Sequence, residues 1–555
     1  MDLRPPSRVM NLERMGAAFP TRLSFMRSLV RRMARERWRF EIVRFDIDER
    51  GVGTAVLAAH TPERTYSVLV FGHDLPPEQR TDRVIAEAWD ATFNLIDGLP
   101  SEADIERLSR NTPTQEAGRY SPKELVLARA NRSVRLFGHV VDSLAAGRQP
   151  EIDPVVEVGY LMRTTAVYGN GKFGIADRGR IADLPETMGA FQAEMLAVWL
   201  FRWFTLEMVQ HLARLKGGAS AASLDPAIAR YLGIGNATGL GMAPFLVSHP
   251  QLIDRWVTTR ETALARVRHQ PTADPEAART FMRLLDRAEQ HVADWKVDDP
   301  GQMRRIEDLA ADLRALRPLA GHMLPDEPAP WDRMCRHAML ALSTEGQELL
   351  VTLLIECHGD LVDDLADAMF TAGDEPLDAA MNCGRLLDLV KTNYAWALAF
   401  DFDDPAESAR YWYYSEEKLE PRLGPRDDFA TPAREMPLAT ARDVAGLAHD
   451  LERADPDRPL GMFLLDHPAH RSAALRVQLN ARHMYSEIRA NLIAEGVRPI
   501  DILRFKLAFF GACRFDPKSD LWTRIGMYNG APLPDDFAGD WDEHWSLPVR
   551  PGVAA

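Results

Sequence analysis

The order of apolar and polar residues divides the chain into a short β-rich region and a long helical one. Residues 39–72 carry three short, partly alternating runs separated by turn signals at 48–51 and 61–63. Such runs are typical of an antiparallel β-meander. From about residue 80 the apolar residues recur at helical spacing, which predicts helices over Arg80–Leu95 and Lys123–Ala145.

A long helix is predicted at about Glu186–Leu215, ending at the glycine pair 217–218. Residues Met195–Phe204 of this helix are apolar on nearly all sides, so we expect the helix to be buried at the centre of the fold. Further helices are predicted at about 153–168, 249–269, 274–296, 301–316, 330–342, 345–357, 376–398, 437–453, 468–494 and 499–509. The expected fold class is therefore mainly α: a large multi-helix body around a long buried central helix, with a small N-terminal antiparallel β-meander.

Four regions follow from these patterns. They are a basic amphipathic arm (1–38), the β-meander plus helices (39–150), a central helical domain with glycine-rich loops (151–435), and C-terminal helices with a tail (436–555). We expect the tail to be ordered, because its tryptophans would be costly to leave in water.

The N-terminal arm differs in charge from the rest of the chain. Residues 1–40 carry ten arginines against Asp2, Glu13 and Glu36. A helical stripe is formed by Leu23, Met26, Val30 and Met33. We expect this arm to dock on the acidic body. A membrane-surface helix or an organellar targeting segment is the alternative.

Composition narrows the class of protein. The chain has 555 residues, a net charge of −15 and 46% hydrophobic residues. The negative charge argues against general affinity for nucleic acid or an anionic membrane. No apolar run is long enough for a membrane span, and no signal peptide is visible. The four cysteines form no CxxC pair, which favours free thiols in the cytoplasm.

The first candidate binding segment is Tyr160–Gly174. We expect a helix that ends at Tyr168, followed by a tight turn through Asn170 and Gly171 that presents Lys172. Arg163 would lie one to two turns back along that helix. Two cations and bare backbone amides suit a carboxylate or phosphate, and Lys172 or Tyr168 would move a proton. The alternative is an ordinary helix end with a surface turn.

The second candidate segment is Gly233–Pro244, where glycines alternate with small and polar residues. Its predicted ligand-binding residues are Gly235, Asn236, Thr238 and Gly239. Successive backbone N–H groups in such a stretch can form an anion-binding nest. Close helix packing permitted by glycine is the alternative. A nucleotide fingerprint is disfavoured, because a short helix rather than a strand precedes the segment.

The third candidate segment is Arg410–Arg422, with four consecutive aromatic residues. Tyr414, Lys418 and Arg422 are candidate binders of an organic anion. Glu416 and Glu417 are candidate proton carriers. An amphipathic helix with charge pairs, or a subunit interface, explains the same pattern without a site.

No metal motif is predicted. The acidic run 401–404 lacks the ligand spacing of a calcium loop, and a proline separates His467 from His470. Cys513 follows an apolar stretch and is expected to be an inert buried thiol.

The leading hypothesis is a soluble enzyme that acts on a small anionic metabolite by acid–base chemistry, of the lyase, isomerase or decarboxylase type. No readable motif requires a cofactor. A flavin-, haem- or nicotinamide-dependent oxidoreductase is the second hypothesis. A non-enzymatic helical scaffold or regulator is the third. A homo-oligomer is expected on general grounds.

Overall fold

The computed structural model of the chain describes most of its length. The described residues are 2–76, 88–110, 112, 121, 123–169, 190–236, 250–295, 297–369, 376–401, 412–414, 422–423, 434–436, 439–487, 499–517 and 523–552.

Within these described residues, twelve strands form two sheets. In chain order they are β1 (Arg39–Ile47), β2 (Gly53–His60), β3 (Thr65–Asp74), β4 (Trp89–Asp97), β5 (Glu124–Arg132), β6 (Tyr160–Gly169), β7 (Gly233–Asn236), β8 (Trp412–Tyr414), β9 (Arg422–Leu423), β10 (Arg434–Met436), β11 (Arg514–Pro517) and β12 (Thr523–Met527). The large sheet has nine strands in the order β1-β2-β3-β4-β5-β6-β7-β12-β11. All its neighbours are antiparallel except β6 and β7, which run parallel. The small sheet has the order β10-β8-β9.

Helices make up most of the remaining structure. In chain order they are α1 (Pro6–Val9), α2 (Leu12–Ala17), α3 (Phe25–Arg35), α4 (Glu102–Ser109), α5 (Phe137–Ala145), α6 (Ile152–Val158), α7 (Ala190–Gly217), α8 (Pro226–Tyr231), α9 (Pro250–Arg268), α10 (Pro275–Ala293), α11 (Pro300–Asp326), α12 (Pro330–Ala341), α13 (Thr344–Glu356), α14 (Gly359–Val362), α15 (Cys383–Asn393), α16 (Ala395–Leu398), α17 (Ala439–Leu451), α18 (Leu460–Asp466), α19 (Arg471–Arg482) and α20 (Pro499–Phe510). The predicted fold class, a helical body with an N-terminal sheet, is confirmed.

The long central helix is also confirmed. Helix α7 has 28 residues and is therefore about 42 Å long. Trp199 and Phe201 are fully buried, and Phe201 stacks on Phe93 of β4 with ring centroids 4.2 Å apart. The helix thus covers one face of the nine-stranded sheet and joins it to the main hydrophobic core.

A second core lies among helices α9–α14. Phe281, Leu313 and Trp331 meet there and are almost completely buried. Aspartates cap α10 and α11 by accepting hydrogen bonds from backbone N–H groups in the first turn, and a proline follows each of them. The Asp-Pro pairs at 274–275 and 299–300 therefore mark helix starts.

The N-terminal arm lies against this helical body. Met26 and Val30 on α3 are fully buried, as their stripe in the sequence suggests. Arg4 donates hydrogen bonds to Glu261 at 2.6 and 2.7 Å and to Glu348 at 2.8 Å. The arginines of the arm therefore pair with carboxylates of the helical body.

Three predicted helices are wrong in part. Within Arg80–Leu95 the described residues from Trp89 onward form β4, and the first part of Lys123–Ala145 forms β5. The helix that begins near residue 153 ends at Gly159, which has φ 73°, and Tyr160 begins β6. In β4 polar residues alternate with apolar ones, but Trp89 and Phe93 also fall four apart, a spacing that buried helices share. In β5 the run Leu125–Ala128 is apolar throughout and does not separate a buried strand from a helix. The sheet is consequently much larger than the predicted meander.

The C-terminal tail is built into the fold. Strands β12 and β11 extend the sheet beyond β7, with Ile525 opposite Asn236. Trp545 is fully buried, and Tyr528 donates a hydrogen bond to the carbonyl of Met195 on α7 at 2.8 Å. Within the part of the chain that the structure describes, no helix combines the length and apolarity needed to cross a bilayer.

Candidate functional site: a polar row on the sheet

A row of polar residues crosses the sheet on the face opposite α7. Strand pairing places His73 of β3 opposite Asp90 of β4. One strand further, Asn131 of β5 stands opposite Arg163 of β6, and Arg163 stands opposite Gly235 of β7. The neighbours of these residues along each strand, such as Ala91 and Ala130, point into the core under α7. Because side chains alternate along a strand, the polar row lies on the other face.

Asp90 is the fixed centre of this row. Its side chain is completely buried, and its Oδ2 accepts hydrogen bonds from the guanidinium of Arg129, with Nε at 2.9 Å. The Asn131 amide Nδ2 donates to Oδ1 at 3.4 Å. A buried carboxylate held by a guanidinium from the next strand is a charge-assisted contact. Asp90 is therefore held in position before any ligand arrives.

His73 lies beside this carboxylate. Its Nε2 is 3.7 Å from Asp90 Oδ2, and its side chain is 19% exposed. Both ring nitrogens are themselves buried, and neither has a hydrogen-bond partner among the residues that the structure describes. The ring nitrogens of an imidazole can both donate and accept protons, and those of His73 are left open for such a role.

Two more polar groups lie on the same face of β4. Thr92 and Asn94 alternate with the core residues Ala91 and Phe93 and are almost fully buried. Thr92 Oγ1 and Asn94 Oδ1 find no hydrogen-bond partner in the described ranges. Burying such groups without a partner costs free energy, so each unpaired oxygen requires an explanation.

The structure brings the first two predicted segments together. Arg163 is on a strand rather than the predicted helix, and it stands next to Gly235 in the parallel β6–β7 pair. A Cβ on Gly235 would lie 2.7 Å from the ring of Tyr160, so glycine permits this close approach. Asn236 Nδ2 donates to Thr164 Oγ1 at 3.0 Å, which ties β7 to β6 on the opposite face.

The structure describes only some of the other predicted site residues. Tyr168 is in β6, where it stands opposite Leu127, and Leu127 stands opposite Asn94. Tyr414 and Arg422 are on β8 and β9, so the described part of the third segment is strand rather than helix. Outside the described residues lie Asn170, Gly171, Lys172, Thr238, Gly239, Glu416, Glu417 and Lys418. Their roles stay predictions.

Sequence reasoning missed most of the polar row. A usable signal was present in Trp89–Asp97, where Asp90, Thr92 and Asn94 alternate with large apolar residues. That period of two was overlooked because the segment was assigned to a helix. Arg129 and Asn131 have the same spacing on the next strand.

The cysteines give no sign of a reactive thiol. All four are free, and burial raises the pKa of Cys513 to about 12, which makes this thiol inert at neutral pH, as the sequence predicts.

No protein-family model, curated protein or solved structure matches the chain. The function is therefore argued from the geometry of the polar row.

Proposed function

We propose that this protein binds a small anionic metabolite on the polar row and transforms it by acid–base chemistry. His73 is the proton carrier and Asp90 orients it. Arg129 and Arg163 face the carboxylate or phosphate of the ligand. Proton transfer of this kind serves a lyase, isomerase or decarboxylase.

The observation that carries this proposal is the contrast between two histidines. His60 on β2 has both ring nitrogens occupied, by Thr65 Oγ1 at 3.0 Å and by Glu41 Oε2 at 3.3 Å. His73 on the adjacent strand has neither nitrogen occupied by any described residue, although both are buried. A structural histidine is satisfied by its neighbours, whereas a catalytic one keeps a nitrogen for its substrate.

The charge distribution supports an anionic ligand. Among the described residues, the row holds two arginines, Arg129 and Arg163, in a chain whose net charge is −15. Arginine binds carboxylate and phosphate groups through two parallel N–H bonds. Strands β6 and β7 run parallel, and the ligands of parallel sheets commonly bind beyond the carboxyl ends of the strands. The sequence predicts the bare amides and Lys172 to follow those ends.

The proposed cellular compartment and oligomeric state rest on more general observations. Four free cysteines support a reducing compartment such as the cytoplasm. A homo-oligomer is proposed on general grounds alone.

The test is a thermal-shift screen of the full chain against carboxylates and phosphates. We expect at least one compound to raise the melting temperature of the wild type and of the matched control His60→Asn. The dissociation constant of that compound rises at least about tenfold in Arg129→Gln or Arg163→Gln, because each loses charge-assisted contacts of about 1.4 kcal/mol or more, and the shift becomes correspondingly smaller. His73→Asn keeps binding but loses turnover of the same compound.

Two results would overturn the proposal. One is an unchanged shift in both arginine variants, and the other is full turnover by His73→Asn. A coloured cofactor that copurifies with the wild type would favour the oxidoreductase alternative. A panel without any binder would favour the scaffold or regulator.

A further inference from the structure

Three side chains that can ligate a metal ion converge at the end of α17. Asp450 is the penultimate residue of α17, and His467 and His470 flank the short turn between α18 and α19. One ligand atom from each residue lies within 4.8 Å of the other two. Among the described residues, this is the one group of three or more such side chains that meets that distance.

The spacing of the three ligand atoms suits a common cation. His470 Nε2 is 2.7 Å from Asp450 Oδ2, and His467 Nδ1 is 3.9 Å from the same oxygen. Ligands about 2.1 Å from a tetrahedral zinc ion are separated by about 3.4 Å. The 2.7 Å contact is a hydrogen bond between His470 and Asp450, so an ion that enters the site would lengthen this contact and shorten the 3.9 Å one.

Packing holds the two imidazoles in place. The ring of Phe463, which is fully buried in the main core, stacks on His467 with centroids 4.6 Å apart. The rings of His467 and His470 lie at 28° to each other with centroids 6.0 Å apart. The proline between the histidines argued against a metal in the sequence. In the fold, Pro468 begins the turn that brings both rings to Asp450.

The donors and their exposure define the kind of ion. Two imidazoles and one carboxylate suit zinc and other divalent first-row transition metals, whereas magnesium and calcium prefer oxygen ligands. The side chains of His467, Asp450 and His470 are 42%, 33% and 16% exposed. Solvent can therefore supply the remaining ligands.

We propose that Asp450, His467 and His470 bind one divalent transition-metal ion, with water completing its coordination. The ion would fasten the end of α17 to the start of α19. This site is separate from the polar row, so its test does not depend on the proposed reaction.

Zinc titration of the metal-free full chain tests the site. We expect the wild type to bind one zinc ion by calorimetry, with a higher melting temperature when zinc is present. His467→Ala and His470→Ala weaken binding at least about tenfold, because each removes a direct ligand. The matched control is His449→Ala, which removes the exposed neighbour of Asp450 on the same helix and leaves affinity unchanged.

Cobalt provides a second measurement. Cobalt(II) bound to the wild type should give visible absorption bands that are lost in His467→Ala, while far-ultraviolet circular dichroism confirms that the variant is folded. If His470→Ala does not fold, the site is tested with His467→Ala alone, because His467 is the more exposed of the two histidines. The proposal fails if the wild type shows no saturable zinc binding, or if both alanine variants bind zinc like His449→Ala.

Discussion

Two buried ionic clusters in this molecule differ in how completely they are paired. In the first, which we call the arm cluster, Glu348 is fully buried and accepts hydrogen bonds from Arg4 at 2.8 Å, from Arg260 at 2.6 Å and from Arg14. Burial alone would raise the pKa of Glu348, but the charges of the three arginines outweigh it and hold the pKa well below its usual range.

The second cluster, which we call the sheet cluster, consists of Asp90, His73, Arg129 and Asn131. Its carboxylate is as deeply buried as Glu348, yet the ring nitrogens of His73 have no partner within the described ranges. Burial of charge alone therefore does not separate the two clusters. In the arm cluster the unpaired buried atom is Nε of Arg260, whose Nη2 donates to Glu348, whereas in the sheet cluster both ring nitrogens of His73 are unpaired among the described residues.

The largest expected effect is on stability, at the arm cluster. Glu348→Gln keeps the side-chain volume but leaves three arginines without their shared counter-charge. We expect the free energy of unfolding to fall by about 3–5 kcal/mol. Urea-induced unfolding followed by tryptophan fluorescence measures the change. Glu307→Gln, on an exposed position of α11, is the control and should have almost no effect.

A smaller loss is expected at the sheet cluster. Asp90→Asn leaves Arg129 without its carboxylate, but the Arg129 side chain is 27% exposed and water can solvate it. We expect the free energy of unfolding to fall by about 1–3 kcal/mol.

Turnover separates the two variants. Asp90→Asn should lose most of the turnover of the metabolite, because Asp90 orients His73 in the proposed reaction, whereas Glu348→Gln should keep it when it is measured below its own unfolding transition. Should the two variants lose equal stability and equal turnover, the distinction between the clusters disappears.

The sequence predicted elements whose patterns are strong and local. The apolar run of α7 and the stripe of α3 both appear in the fold. Strand β5 was missed because Leu125–Ala128 is apolar without a break, and β4 because its alternation was outweighed by apolar residues at helical spacing. Short strands such as β7 owe their conformation to partners far along the chain, which no local pattern contains.

The candidate residues predicted from the sequence and the polar row of the structure overlap at Arg163 and Gly235. Unusual composition pointed to Arg163 and Gly235, and the structure places these two side by side. The His73–Asp90 pair comes from two strands with an intervening segment, so only the pairing register could reveal it. Spacing in sequence does not encode that register.

The smallest expected effect concerns Glu207, a partly buried carboxylate that makes no ion pair with any described residue. It lines a cavity of about 470 Å³ together with Phe40 and Trp203, and the Trp203 Nε1–H group donates to its Oε1 at 3.3 Å. Burial raises the pKa of Glu207 above its usual value. Because the folded-state pKa is the higher one, the charged carboxylate costs stability at pH values above the unfolded-state pKa, and acidification removes that cost.

Glu207→Gln should therefore stabilise the protein at neutral pH by about 0.5 kcal/mol, since it removes the charge and keeps the shape. Melting temperatures of the variant and the wild type should converge as the pH falls below the unfolded-state pKa of about 4.3, where both side chains are neutral. In contrast to Glu348 and Asp90, Glu207 would then be a carboxylate that the fold tolerates rather than uses for pairing. A loss of stability in the variant at neutral pH would show instead that Arg214, the nearest cation acting on Glu207, pairs with it effectively.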